Sequence, residues 1–414
     1  MLFHKKASKP AQKTLKLPLK FDFGTTAEDV RNSFNVERTA NGIKTRYRRD
    51  IQVFPAIARY IVGYVDDYVY FMTDGGLCRM SEKDKTVFME GLDWNVSSCV
   101  YRGNLIVSGK DYGTYVVKEC EATKVYHGGF SSITSCADRL FGLYKNQITY
   151  TAAGKVDGWE QGQTISLPGE CQAVVSIGDK VYALGDDCYA LIPKADDIEF
   201  KVVRLARNVG VVAPRSVVSY YDSLIFGTES GLYQLRSDKI SPICEQLNEV
   251  LLFGVSAGVI FKGKYCLTCA SKDVPELYNN VTVCIDVERE EIVGMLRNGG
   301  LSIAKTSKNV IMSGIGSCYV FYDGFYDGKY RVSNVDFGTN DKKFLDKLVL
   351  KTATDIDVTI RSETETRLYK LKGKSYPQNL FLRDMGWRFS IEFFSEDGLD
   401  VQNAVLYAHT SKEA

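Results

Sequence analysis

The sequence predicts an all-β protein whose body is a β-propeller, with a small β-sandwich at the C-terminal end. Three observations lead there. A hairpin pattern recurs seven times along the middle of the chain. Strand-favouring residues are abundant, including 25 Tyr and 21 Phe in 414 residues. The long helical periodicities of an α/β enzyme are missing. A chain of this length exceeds what one core fills, so a repeat body plus a further domain is expected.

The repeat is clearest in two segments. Asp66-Asp67-Tyr68-Val69-Tyr70-Phe71-Met72-Thr73-Asp74-Gly75-Gly76-Leu77-Cys78 aligns without a gap on Tyr221-Asp222-Ser223-Leu224-Ile225-Phe226-Gly227-Thr228-Glu229-Ser230-Gly231-Leu232-Tyr233. Weaker copies begin at Arg102-Gly103-Asn104, Ala137-Asp138-Arg139, Gly178-Asp179-Lys180, Lys262-Gly263-Lys264 and Ser307-Lys308-Asn309. The first strand residues are 69, 105, 140, 181, 224, 265 and 310, a mean spacing of about 40 residues, which suits propeller blades of roughly 40–50 residues. Asp, Gly and Asn at the first turn favour tight hairpins. Gly76 and Gly231 fall where the second turn needs a positive φ, which strains any residue with a Cβ. A lone four-stranded sheet cannot bury both faces, whereas a ring of such sheets can. Seven copies predict seven blades over residues 56–335, or six if one copy is an insertion within a blade.

Residues 1–20 read as a basic arm and 21–55 as a lead-in segment. Lys5, Lys6, Lys9, Lys13, Lys16 and Lys20 precede the first carboxylate, Asp22; residues 1–50 carry a net charge of +7 and the remainder −6. Such an arm is either a solvated tail or a segment that docks on an acidic neighbour or approaches nucleic acid. Helical pattern is confined to Ala27–Phe34 and Glu245–Leu252. From Asp336 onward the pattern changes to short strand-like runs at 344–351, 356–361, 367–371, 379–382, 387–394 and 401–408, which predict a sandwich over 336–410. Trp387, Phe389, Ile391 and Phe393 are expected to share its buried face.

The constellations that could carry chemistry are sparse. Gly254-Val255-Ser256-Ala257-Gly258 has the form of a hydrolase nucleophile elbow, but a strand-like run follows it where that motif needs a helix. Cys266-Leu267-Thr268-Cys269 lacks a second pair to complete a zinc site, and on a strand its thiols would diverge. The three histidines, His4, His127 and His409, are scattered; His127 reads as a solvent-facing loop residue. The acidic pairs Asp66/Asp67 and Asp186/Asp187 sit at turns, where Asp is common for conformational reasons. No catalytic residue, metal ligand or cofactor is assigned. No apolar stretch approaches 18 residues, so no membrane span is expected, and no apolar signal core follows the N-terminal lysines. Eleven Cys without framework spacing read as buried free thiols of a reducing compartment.

The lead-in Phe21-Asp22-Phe23-Gly24, Asn32-Ser33-Phe34-Asn35-Val36 and Gly42-Ile43-Lys44-Thr45-Arg46, the repeated hairpins, and Asp336-Phe337-Gly338-Thr339, Lys343-Phe344-Leu345-Asp346-Lys347-Leu348 and Gly386-Trp387-Arg388-Phe389 near the end share a layout. Over residues 20–408 it resembles the propeller-containing tail, nozzle and head-to-tail stabilisation proteins of tailed bacteriophages. That family often has Pro and Gly after the lead-in arginine, where this chain has Tyr47 and Arg48. The resemblance implies a non-enzymatic virion protein, assembled in the host cytoplasm into a homo-oligomeric ring. It implies portal, adaptor or tail partners, with DNA passing nearby without sequence-specific binding. Lys5, Lys6, Lys9, Lys13, Arg46, Arg48 and Arg49 are the candidate assembly contacts. The alternatives are a receptor- or glycan-binding propeller, which would present Trp94 or Trp159 at one end, and a propeller glycosidase, which would need paired carboxylates at the channel.

Overall fold

The computed structural model describes residues 14–21, 27–45, 60–66, 68–73, 76–80, 85–89, 96–159, 163–194, 199–273, 279–297, 299–305, 310–314, 317–320 and 327–410. The chain divides into two compact units, Arg48–Asp323 and a second built from Met1–Tyr47 with Gly324–Ala414.

The first unit is a β-propeller. Its seven antiparallel sheets open with the strands Tyr60–Val65, Val96–Tyr101, Ser132–Cys136, Cys171–Ile177, Val218–Tyr220, Leu251–Phe261 and Ser302–Lys305. Each of the first six blades is a four-strand meander, and three strands of the seventh are described. All seven anchor positions read from the sequence fall on the second strand of a blade: Tyr68–Thr73, Asn104–Gly109, Arg139–Tyr144, Lys180–Gly185, Ser223–Thr228, Lys264–Ser271 and Val310–Gly314. These second strands are covered on both sides by neighbouring blades. Every residue of Ser223–Thr228 is buried, for example, so it reads as a continuous apolar run and not as an alternation.

The first turns explain why the copies look alike. Asp66, Arg102, Ala137, Gly178, Tyr221 and Lys262 all have φ between 45° and 59°. That left-handed entry matches the twist of the flanking strands in a two-residue hairpin. At the second turn Gly76 has φ 114° and Gly231 φ 150°. The helical run expected over Glu245–Leu252 is a short 3-10 turn, Glu245–Glu249, between blades five and six.

Apolar clusters fill the spaces between blades. Phe141, Tyr150, Val174 and Tyr189 lie between blades three and four, and Leu184, Leu224, Phe226 and Leu235 between four and five. Ile61, Phe71 and Ile311 join blade one to blade seven, which closes the ring. The first strands of adjacent blades are also tied by short hydroxyl side chains. The Ile61 amide donates to Ser302 Oγ at 2.7 Å, Ser98 donates to Val62 O, and the Ile133 amide donates to Ser97 Oγ at 3.1 Å. The Val174 amide donates to Ser132 Oγ at 3.0 Å, and Ser176 Oγ donates to Ser135 O at 2.8 Å.

The second unit contains two sheets. One runs Gly328–Val335, Phe389–Ser395, Ile356–Arg361, Thr366–Leu371 in spatial order. The other runs Val36–Thr39, Gly42–Thr45, Asp400–Thr410, Lys343–Thr352, Lys374–Phe381, with Thr14–Pro18 also paired to Asp400–Thr410. The sequence boundaries therefore shift. Gly328–Val335, expected in the propeller, is a strand of the terminal unit. The lead-in supplies a helix, Ala27–Asn32, and a hairpin to that unit. The last third of the expected arm is a strand there, because Leu15 and Leu17 turn inward while Thr14, Lys16 and Pro18 face out. Beyond it Leu19 and Phe21 are buried, with the Phe21 ring 5.5 Å from Tyr330 and 6.1 Å from Phe393. Phe389, Ile391 and Phe393 share a buried face as expected, but Trp387 precedes their strand and is 45% exposed.

Two substitutions test this architecture. In Gly231→Val the new Cβ would lie 2.6 Å from the Asn248 side chain at a φ hostile to valine, and a loss of about 1–3 kcal/mol in urea unfolding is expected. Ser302→Ala leaves the buried Ile61 amide without its acceptor and should cost about 1–3 kcal/mol, whereas Ser219→Ala on an exposed position should stay within about 0.5 kcal/mol.

Candidate functional site

The seven first strands carry one charged residue, Lys305. A pair of carboxylates for glycoside hydrolysis is therefore not supplied by these strands. The acidic turn residues hold the fold instead. Asp186 accepts the Val209 amide on its carbonyl at 2.8 Å and the Gly210 amide on its carboxylate at 3.2 Å. Asp187 accepts Tyr189 OH at 3.2 Å and faces Arg204 Nε at 3.3 Å. Asp66 occupies the first turn of blade one with φ 50°; Asp67 lies outside the described residues.

The elbow-like segment is an extended bulge in the first strand of blade six. Pairing jumps from Leu252–Ala270 to Ala257–Thr268. Ser256 is buried and its Oγ donates to Phe253 O at 2.6 Å, so the hydroxyl is engaged within the bulge. Gly258 is required for a packing reason, since a Cβ there would sit 2.5 Å from the Tyr265 ring. Tyr265 is fully buried, and its OH donates to Ser216 O at 2.7 Å in blade five.

Cys266 and Cys269 are both buried. Cys266 does not meet Cys269; it sits opposite Cys284 on the next strand, with the sulfurs 3.6 Å apart. Burial pushes the thiols of Cys99, Cys171 and Cys244 up to about 12 and those of Cys136 and Cys188 up to about 11. Among the described residues no group of three His, Cys, Asp or Glu side chains is arranged to hold a metal. His127 is exposed in the loop entering blade three, as expected. His409 is half-buried, with Nδ1 2.7 Å from Asp346 Oδ1. Trp159 does not form an exposed platform: it is buried against Phe130 and Tyr126, and Nε1 donates to Val156 O at 3.0 Å. Trp94 lies outside the described residues, as do Lys5, Lys6, Lys9, Lys13, Arg46, Arg48 and Arg49.

The surface that stands out belongs to the terminal unit. Thr366–Leu371 and Lys374–Phe381 follow one another along the chain, and each is the last strand of its own sheet. Among the described residues neither outer edge pairs with a further strand. The two strands also expose large apolar side chains, Leu368 at 58%, Tyr376 at 57% and Phe381 at 73%. Lys370, Lys372, Lys374 and Pro377 punctuate them, the residue types that discourage indiscriminate edge pairing. The sequence pattern identified these runs as strands but could not say that they are edges, because that depends on partners far away in the chain.

No family model matches the chain, and no curated protein matches it. Solved structures do. The extracellular domain of a hybrid two-component system protein of B. thetaiotaomicron superposes with a TM-score of 0.51 at 9% identity, over 84% of this chain and 55% of that one. The WD40 repeats of RRP9 give a TM-score of 0.49 at 8% identity, over 69% of this chain and 98% of that one. The WD40 β-propeller domain of Doa1 gives 0.32 at 12%, over 70% and 96%. At these identities the likeness concerns the fold alone. No helix among the described residues is long and apolar enough to cross a membrane.

With thiols held this far above neutrality, alkylation of the native protein at pH 8 should be slow at the buried Cys136, Cys171, Cys188 and Cys244 and fast once guanidinium unfolds the chain. Peptide mass spectrometry reads this directly, and rapid native labelling at these positions would contradict the buried, unreactive assignment.

Proposed function

We propose that this chain is a non-enzymatic structural protein of a tailed-phage or prophage virion. It would form part of the tail, nozzle or head-to-tail connector by assembling into a homo-oligomeric ring, with portal, adaptor or other tail components as partners. The virion setting rests on the layout resemblance described above. The assembly role is supported by one structural observation: two consecutive edge strands in the terminal unit expose Leu368, Tyr376 and Phe381 beside unpaired backbone. Edge-to-edge addition between subunits would satisfy those groups and cover the apolar side chains. The non-enzymatic reading is supported by the engagement of Ser256, Asp186 and Asp187 in structural hydrogen bonds and by first strands that carry no carboxylate.

Electron microscopy and mass photometry of the purified protein test the proposal. The expected result is a closed ring of subunits, or binding to a portal or adaptor ring. Leu368→Lys together with Tyr376→Lys should abolish assembly while shifting monomer stability by no more than about 0.5 kcal/mol, since both side chains are exposed. A strictly monomeric protein that binds no virion component would overturn the reading, as would turnover of a glycoside in a broad substrate panel.

A further inference from the structure

The terminal unit carries a second surface, on the face of a sheet. Four strands present one residue each in a directly paired row: Lys16 opposite Tyr407, Tyr407 opposite Lys347, and Lys347 opposite Phe381. Leu406, Ala408 and Leu348, which flank this row along the strands, are buried, so the row lies on the opposite, outward face. Lysines and aromatic rings alternate across it. Lys16 Nζ and Lys347 Nζ stand 5.9 Å and 5.0 Å from the Tyr407 ring centre, and Phe381 is almost three-quarters exposed. The next aromatic position on the same face is the Phe344–His409 pair, stacked at 5.3 Å with 16° between the ring planes. Tyr407 and His409 are two residues apart on one strand, about 6.8 Å at strand rise.

We propose that this sheet face binds single-stranded nucleic acid, with bases stacking on the aromatic rings and phosphates taken by the lysines. Charge selects the occupant. Asp346, next to Lys347 along the strand, is already bonded to His409. A second copy of the chain packed face to face would bring lysine rows against each other, a repulsive arrangement. A duplex hides the base faces that the exposed rings could stack on, whereas a single strand offers a π-face at every nucleotide. The short spacing between aromatic positions and the interleaved cations match what such strands require: a stacking platform beside a phosphate-neutralising track. This proposal does not depend on ring assembly or on a virion setting.

The test is fluorescence anisotropy of the full chain with a labelled oligothymidylate, alongside a duplex of equal length. Single-strand binding that weakens steeply with salt and exceeds duplex binding is expected. Tyr407→Ala and Phe381→Ala should each weaken it roughly ten-fold or more. Lys347→Gln should reduce the slope of log affinity against log salt by about one. Tyr407 lies on a central strand and not on the exposed edges, so Tyr407→Ala should keep the parent's oligomeric state by mass photometry, which separates this outcome from failure of assembly. Unchanged affinity in both aromatic variants, or equal binding of duplex and single strand, would overturn the proposal. So would loss of self-association in Tyr407→Ala with oligonucleotide binding intact, which would make the face a contact between copies.

Discussion

Closure of the propeller rests on the contact between its first and last blades. The Ile61 amide meets Ser302 Oγ, and Ile61, Phe71 and Ile311 seal the seam beside it. Each blade has two apolar faces, and only a closed ring gives every face a neighbour. The hydroxyls of the first strands serve that constraint. Ser97, Ser98, Ser132 and Ser176 each join one first strand to the next, so the strands nearest one another are registered by directional bonds while apolar clusters supply the bulk of the burial. The same short side chains leave the first strands almost free of charge, and this shapes the functional reading more than any single motif does.

The propeller was legible because its repeat is local. A two-residue turn with a left-handed first position, followed by a fully buried strand, recurs with little regard to what lies elsewhere in the chain. The seven anchors therefore found the second strand of every blade. The terminal unit was less legible because its contacts are non-local. Leu15, Leu17, Leu19 and Phe21 form a period-two pattern, but the surrounding lysines gave the segment the look of a tail; its partner strand, Asp400–Thr410, lies at the other end of the sequence. Trp387 was misplaced by one strand boundary, since the strand it seemed to begin starts at Phe389 and the indole is left outside. The candidate surfaces were hidden for a related reason. Edge position and cross-strand rows depend on pairing order, and composition alone cannot reveal them.

The chemical motifs illustrate how a pattern acquires a structural explanation. Gly258 exists to admit the Tyr265 ring, Ser256 to cap the bulge before it, and Cys266 to fill a cross-strand site beside Cys284. Each residue answers a packing or hydrogen-bonding requirement of blade six. Leu368, Tyr376, Phe381 and the outward lysines of the terminal unit answer no such requirement, and the propeller has exposed apolar side chains of its own, Tyr221 at 83% and Val255 at 65%.

The pairing of Thr14–Pro18 with Asp400–Thr410 has a temporal consequence. The propeller sequence lies wholly between these two strands, so during synthesis all of its blades leave the ribosome before the strand that completes the terminal unit. The blades can close while the N-terminal strand still waits for its partner. The sheet that carries the cationic row is completed only once Asp400–Thr410 has been made. A chain interrupted before Asp400 would hold a folded propeller without the completed terminal sheet.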